Sequence, residues 1–333
     1  MRKLVENFLH RPGVHCESSA LRDIFEFYGF TFSESMIFGL GSGLGFIYWY
    51  GKQMPYPFVG GRARDLYKNL CNNLGVTVKV NKTSSKTKAY EALRKLIAEN
   101  VPVMIHVDMP FLKYLGLPEE AHFGGHVVVV VGIDKTKGVA DIADTNFEKL
   151  QTATLEELEE ARASKFKPFP PENKWFTFDF PSELTSLDKA IKTGISKTVK
   201  TMLKPPIRNL GTRGIQHFAN EIVKWPKAYP PRKLPFQQLY EVTYIMLEED
   251  GTGGGCFRHL YSKFLKEASE HLDIKEVADL GEQYRQVGEK WTKVAHLVRN
   301  IPLNQTNTIK IKEVLSEIAK EEEEILSSLK NLL

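Results

Sequence analysis

Gly124-Gly125-His126-Val127-Val128-Val129-Val130-Val131-Gly132-Ile133, then Asp134-Lys135-Thr136-Lys137-Gly138, then Val139-Ala140-Asp141-Ile142-Ala143-Asp144: this stretch decides the fold. Two β-rich runs joined by a connection full of turn residues read as an antiparallel hairpin. The unbroken valines show no polar alternation, so the first strand is buried on both faces. A connection symmetric about Thr136 puts Asn146 opposite His126 and Asp144 opposite Val128, diagonal to the histidine on the same face.

Outward from the hairpin the first half alternates helix and strand. Leu21, Ile24, Phe25 and Tyr28 place a helix over Cys16–Tyr28, and Asp65–Leu74 and Thr87–Glu99 read as two more. Ser33 is placed to cap a helix that Gly39–Gly45 breaks, ahead of the strand-like Phe46–Tyr50. Val101–Val107 reads as a strand, and Thr154–Ser164 as a helix with a Thr cap and an acidic first turn. Beyond Pro181 the pattern turns almost wholly helical. Val277, Leu280, Tyr284, Val287, Trp291, Val294 and Val298 share one face, and Ile311, Ile318, Ile325 and Leu332 recur every seven residues. The reading is an α+β fold with a first domain over residues 1–180, an N-terminal helix packed on an antiparallel sheet, and a mostly helical domain over 181–333. The stripe of 311–333 either packs within the chain or forms a homo-oligomer contact.

Composition narrows the function classes. The 333 residues are 42% hydrophobic and 26% charged, which excludes a disordered chain or a disulfide scaffold. No apolar run reaches the ~20 residues of a membrane span, and no export signal is read at the N-terminus, so a cytoplasmic protein is expected. Cys16, Cys71 and Cys256 are too widely and irregularly spaced for a disulfide framework or a zinc site. His122 and His126 are four apart across Phe123-Gly124-Gly125, which is not helical, so no metal is expected. Gly39–Gly45 and Gly251–Gly255 have neither the spacing nor the Lys of a nucleotide loop. Net charge is +4, and 186–233 holds eleven Lys or Arg against two acids, without a nucleic-acid module. That stretch reads as a solvated face or as a landing surface for an acidic partner.

The chemistry centres on one thiol and one imidazole. Cys16 falls in the first turn of its helix, where unpaired amides and the helix dipole favour a thiolate, although a lone cysteine is most often a small buried apolar residue. His126 stands at the mouth of the valine strand, behind Gly124 and Gly125, whose missing side chains leave room for a substrate or another backbone. Asp144 or Asn146 could hold the ring; Asp is preferred because it also stabilises an imidazolium. Gly254 and Arg258, at the start of a helix, could hold an anion.

His15-Cys16-Glu17-Ser18-Ser19-Ala20-Leu21, Ser33-Glu34, Met36–Gly43, Phe123–Val129 with Ala143-Asp144, and Gly251–Gly255 with Phe257-Arg258 together resemble the butirosin biosynthesis protein H family. The resemblance spans nearly the whole chain and is most specific at the cysteine block. It implies a papain-like fold related to C39-type peptidases, with Cys16 as nucleophile, His126 as base and Asp144 as orienting acid. Papain-like enzymes place a Gln six residues before the cysteine to build the oxyanion hole; here that residue is His10, so His10, neighbouring His15 or backbone amides must serve. Ser33, Glu34, Gly124 and Gly125 are carried along as substrate-binding candidates. The implied activity is acyl transfer from a thioester of phosphopantetheine type, on an acyl carrier protein or coenzyme A, to a small-molecule amine, with no tightly bound cofactor. A peptidase or amidase is the second reading, and a degenerate binding protein the third.

Overall fold

The valine strand is the spine of the first unit, and its neighbours explain why it can be wholly apolar. The computed structural model describes residues 2–51, 54, 56–231, 233, 236–249 and 251–333; Arg232 of the basic stretch lies outside them. In chain order the first elements are β1 (Arg2–Leu4), α1 (Cys16–Phe27), α2 (Glu34–Leu40), β2 (Leu44–Trp49) and β3 (Phe58–Arg62). Then come α3 (Leu66–Leu74), β4 (Thr77–Asn81), α4 (Lys86–Ala98), β5 (Val103–Val107), β6 (His126–Asp134), β7 (Val139–Ala143), β8 (Gln151–Thr154), α5 (Leu155–Ala163) and β9 (Trp175–Asp179). The helices α6 (Leu187–Leu203), α7 (Gly211–Ile222), α8 (Trp225–Ala228), α9 (Gln237–Glu248), α10 (Arg258–Leu272), α11 (Lys275–Arg299) and α12 (Asn307–Leu332) complete the chain.

Two compact units result: Met1–Glu34 with Gly75–Leu184, and Ser35–Leu74 with Thr185–Leu333. Ser35–Leu74 groups with the helices rather than with the rest of the first 180 residues because β2 and β3 form their own hairpin. That hairpin is tied to α7's entry by Tyr48 N donating to Asn209 O at 2.9 Å, while α3 packs on α6.

The first unit is built on an antiparallel sheet of order β4-β9-β5-β6-β7-β8, with β1 also paired to β6. All nine residues of β6 are buried, flanked by β5 along His126–Val130 and by β1 along Gly132–Asp134. Helix α1 packs on β6, and α4 and α5 pack on the same sheet. Val127 to Val131 are each 2% exposed or less, and burying five such side chains contributes about 1.5–3 kcal/mol apiece. Helix α5 starts with a complete capping box between Thr154 and Glu157. The hairpin register differs in detail from the symmetric reading. Asp134 pairs with Val139, so the connection has one residue fewer, but a bulge between Val130 and Gly132 returns Val129 to Ala143.

The second unit is helical around a buried charge. The α11 stripe predicted from spacing is buried throughout. Ile311, Leu315, Ile318, Ile325 and Leu329 of α12 are also buried, because α12 packs on α7 and α11. The seven-residue stripe is therefore covered by its own chain, and Leu332 alone of its series stands exposed. Arg258 and Glu322, both fully buried, form a two-point pair at 2.8 and 2.9 Å, with Trp291 Nε1 donating to Glu322 at 3.2 Å. Among the described residues no helix is long and apolar enough to cross a membrane.

Removing one partner of a buried pair leaves the other uncompensated. Glu322→Ala is expected to lower the unfolding free energy by about 3–5 kcal/mol in urea titration. A loss below about 1 kcal/mol would show that Arg258 is satisfied without it.

Candidate active site

Cys16 is the first residue of α1, and the loop before it is fixed atom by atom. His15 is the N-cap, with extended backbone, and its Nδ1 accepts the Ser18 amide at 3.3 Å. The Glu34 carboxylate accepts the amides of Val14 at 2.9 Å and His15 at 2.8 Å, and the Ser18 hydroxyl at 2.9 Å. Gly13 donates its amide to Thr145 O at 2.8 Å, and a side chain there would collide with Ser19 and Glu34. Glu34 is thus a brace for the helix start, and Ser33 is exposed directly before α2.

His126 opens β6 opposite Val107 of β5. Its Nε2 donates to Asp144 Oδ1 at 2.9 Å, and the Cys16 side chain lies near enough to the ring to favour its charged form. Since Nε2 is taken, Nδ1 is the nitrogen left for the sulfur. Asp144 lies one residue past β7, 2% exposed, with further donors from Thr145 N to Oδ1 at 2.7 Å and from Tyr114 OH to Oδ2 at 2.8 Å. Asn146, the alternative partner, is exposed. Burial pushes the Asp144 carboxyl up, but the charge of His126 and the three hydrogen bonds outweigh it and hold it below the usual carboxylate range. Burial depresses His126, yet the charge and hydrogen bond of Asp144, with Cys16, raise it from 6.5 to about 10.

His10 does not face the sulfur as an oxyanion donor. Its Nδ1 bonds Asp23 at 2.7 Å and its Nε2 bonds the carbonyls of Asp144 at 3.2 Å and Phe147 at 2.9 Å, so both ring nitrogens are engaged in holding backbone. Gly124 makes room, but for the chain itself: the Phe169 carbonyl and Pro171 close on it, while Gly125 lies against the Phe123 ring. The expected anion site near Gly254 and Arg258 is filled from within. The Gly254 amide donates to Thr252, the Gly255 amide to Glu248, and the Arg258 guanidinium to Glu322 and to the carbonyls of Gly45, Gly61 and Cys256.

Of the three free thiols, Cys71 and Cys256 are buried, and burial raises Cys256 to about 12; Cys16 alone is partly exposed. Among the described residues no group of three or more His, Cys, Asp or Glu could hold a metal. Sequence reasoning missed Tyr114, Thr145, Arg22 and Asp23. Tyr114 sits in a short turn between β5 and β6 with no periodicity to mark it.

Tyr114→Phe leaves a buried carboxylate oxygen without its donor, and a loss of about 1.5–3 kcal/mol in unfolding free energy is expected. The His126 pairing should stabilise the fold in full below pH 6.5 and fade as the pH climbs to about 10, because its folded-state value is the raised one. The stability gap between wild type and His126→Gln should accordingly narrow across that window. A gap that stays constant or widens contradicts a protonated ring.

Two family models match the chain. Residues 15–145 match the N-terminal region of butirosin biosynthesis protein H, a span holding Cys16, His126 and Asp144, and residues 156–329 match a domain of unknown function, DUF4872. No curated protein matches in sequence. With its first matched region opening on the N-cap of the cysteine helix and ending one residue past Asp144, the chain belongs to the butirosin biosynthesis protein H family.

Proposed function

We propose that this protein is a cysteine-dependent acyltransferase on a papain-like scaffold, with Cys16 as nucleophile, His126 as general base and acid, and Asp144 as the group that orients and charges the ring. The observation that carries this reading is His126, bonded to the buried Asp144 at 2.9 Å and acted on by the partly exposed Cys16. In it, the proton of the sulfur rests on His126 Nδ1 in the charged ring, and the sulfur attacks the carbonyl carbon of an acyl thioester as a thiolate. The C–S bond of the donor breaks, and His126 returns the proton to the departing thiolate, leaving an acyl-Cys16 thioester and a free thiol. An amine then attacks that thioester, His126 accepts its proton, and the sulfur takes it back as the amide leaves. Asp144, held ionised by its donors, stabilises the imidazolium at each passage.

The oxyanion of each addition step is assigned to backbone amides at the start of α1. The amide of Cys16 has no carbonyl one turn earlier to bond, and the helix dipole favours negative charge there. The basic face of α6 supports an acidic donor: Lys189, Lys192, Lys197 and Lys200 are all exposed, and an acyl carrier protein or the phosphates of coenzyme A are proposed to meet it.

Intact-mass measurement after mixing with acyl thioesters tests the reading. A single acyl adduct is expected on wild type and none on Cys16→Ala, with release as an amide when amines are added. An adduct that persists in Cys16→Ala would end it. Cleavage of amide substrates without any amine acceptor would assign the same residues to hydrolysis.

A further inference from the structure

We infer that His10 is a positioning residue, an imidazolium that ties the loop of Cys16 to the loop of Asp144. The role rests on the Cys16–His126–Asp144 reading above, but the charge on His10 follows from its partners alone. Carbonyl oxygens only accept, so Nε2, facing the carbonyls of Asp144 and Phe147, carries a hydrogen. Asp23 gives Oδ2 to Nδ1 and takes Arg22 on its other oxygen, Nε at 2.9 Å and the terminal nitrogen at 2.8 Å. That arrangement favours the carboxylate, which also only accepts, so Nδ1 carries a hydrogen too.

The ring is one end of a chain of alternating charge. Glu34 stands 4.0 Å from Arg22, Arg22 grips Asp23, and Asp23 holds His10, with side-chain exposures of 11%, 7%, 2% and 6% in that order. Two negative and two positive groups cancel, which is how four charged side chains are kept this far from water. Arg22 also donates to the carbonyls of Pro12, at 3.1 Å, and Arg11, so the whole loop from His10 to His15 is wrapped on the chain. Its Glu34 end holds the amides just before Cys16, and its His10 end holds the backbone of Asp144. A bond between the Ser19 and Thr145 hydroxyls at 2.9 Å adds a third tie across the same gap.

The charged groups around His10 are Asp23 and Arg22 on α1, with Glu34 beyond Arg22, and Asp144, which turns its carbonyl rather than its carboxylate to the ring. Arg11, next in sequence, pairs with Glu26. Burial opposes the charge on His10, but the bond and charge of Asp23 and the two carbonyls outweigh it, and the value lies above 6.5. With acceptors on both nitrogens the ring is held with both hydrogens; when it loses one, either Asp23 or the Asp144 loop is released.

Two measurements on the full chain test this. Long-range nitrogen–hydrogen NMR of the imidazoles, with His10 assigned by comparison with His10→Gln or His10→Asn, should show both nitrogens protonated at pH 7.5; a neutral single tautomer overturns the inference. Iodoacetamide should label Cys16 in folded His10→Gln between about ten- and a hundredfold more slowly than in wild type, as a displaced partner would cause. Wild-type rates across the pH range in the folded variant also overturn it. If neither variant folds, the wild-type titration still decides, because a ring that titrates near 6.5 cannot be the strut. Equal labelling of wild type and His126→Ala would instead remove the Cys16–His126 reading and any positioning role with it, whatever the protonation of His10.

Discussion

An imidazole has two nitrogens and one plane, so a ring that is to serve, as proposed, a sulfur on one side and a carboxylate on the other tolerates little drift of either. Here the ring comes from the start of β6, the carboxylate from the residue after β7, and the sulfur from a helix more than a hundred residues earlier. Hydrogen bonds and burial must hold the three together. Strand β6 supplies the fixed reference: buried along its whole length, it has β5 on one edge, β7 on the other, and α1 across its face. The remaining freedom lies in two loops, 10–15 and 144–147, and these are tied to each other rather than to solvent. Gly13 to Thr145, Ser19 to Thr145, and His10 to Asp144 and Phe147 make that seam.

How much of this was legible in the sequence depends on whether the decisive contact is local. The diagonal placement of Asp144 against His126 follows from hairpin register, which the valine run and the turn residues mark. Even so, the connection is one residue shorter than a symmetric reading gives, and the bulge before Gly132 restores the alignment at the strand's far end. Two displacements of opposite sense cancel where they matter. The seven-residue stripe of α12 likewise marked a buried face without saying what buries it. The role of His10 was not legible, because Asp23 and Arg22 sit on a short helix whose every residue from Glu17 to Phe25 is buried. A helix with only one apolar face would have put both charges in water, and nothing in the spacing distinguishes the two cases.

Arg258 shows the same limit in the second unit. Glycines followed by an arginine at a helix start describe a place for an anion, and the structure agrees that anions are there: Glu248 on the Gly255 amide and Glu322 on the guanidinium. They belong to the chain. Cys256 and Phe257 adopt positive φ of 54° and 69°, a conformation that costs free energy in residues with side chains. It persists where Arg258 draws three carbonyls, those of Gly45, Gly61 and Cys256, onto one buried charge.

The engagement of His10 bears on the proposed chemistry as well as on the fold. In the papain-like arrangement, the side chain six residues before the cysteine donates to the oxyanion. Here that side chain has both donors turned away, toward Asp23 and two carbonyls. Negative charge developing on a substrate oxygen must then be met by groups that come with the helix start itself: the amide of Cys16 and the dipole behind it. Such donors are only as well aimed as the backbone that carries them. Glu34 on the amides of Val14 and His15, and His15 on the amide of Ser18, fix that backbone on both sides of the cysteine. On this reading, a flexible side-chain donor has been exchanged for a rigid main-chain one, and the buried charges beneath the loop keep it rigid.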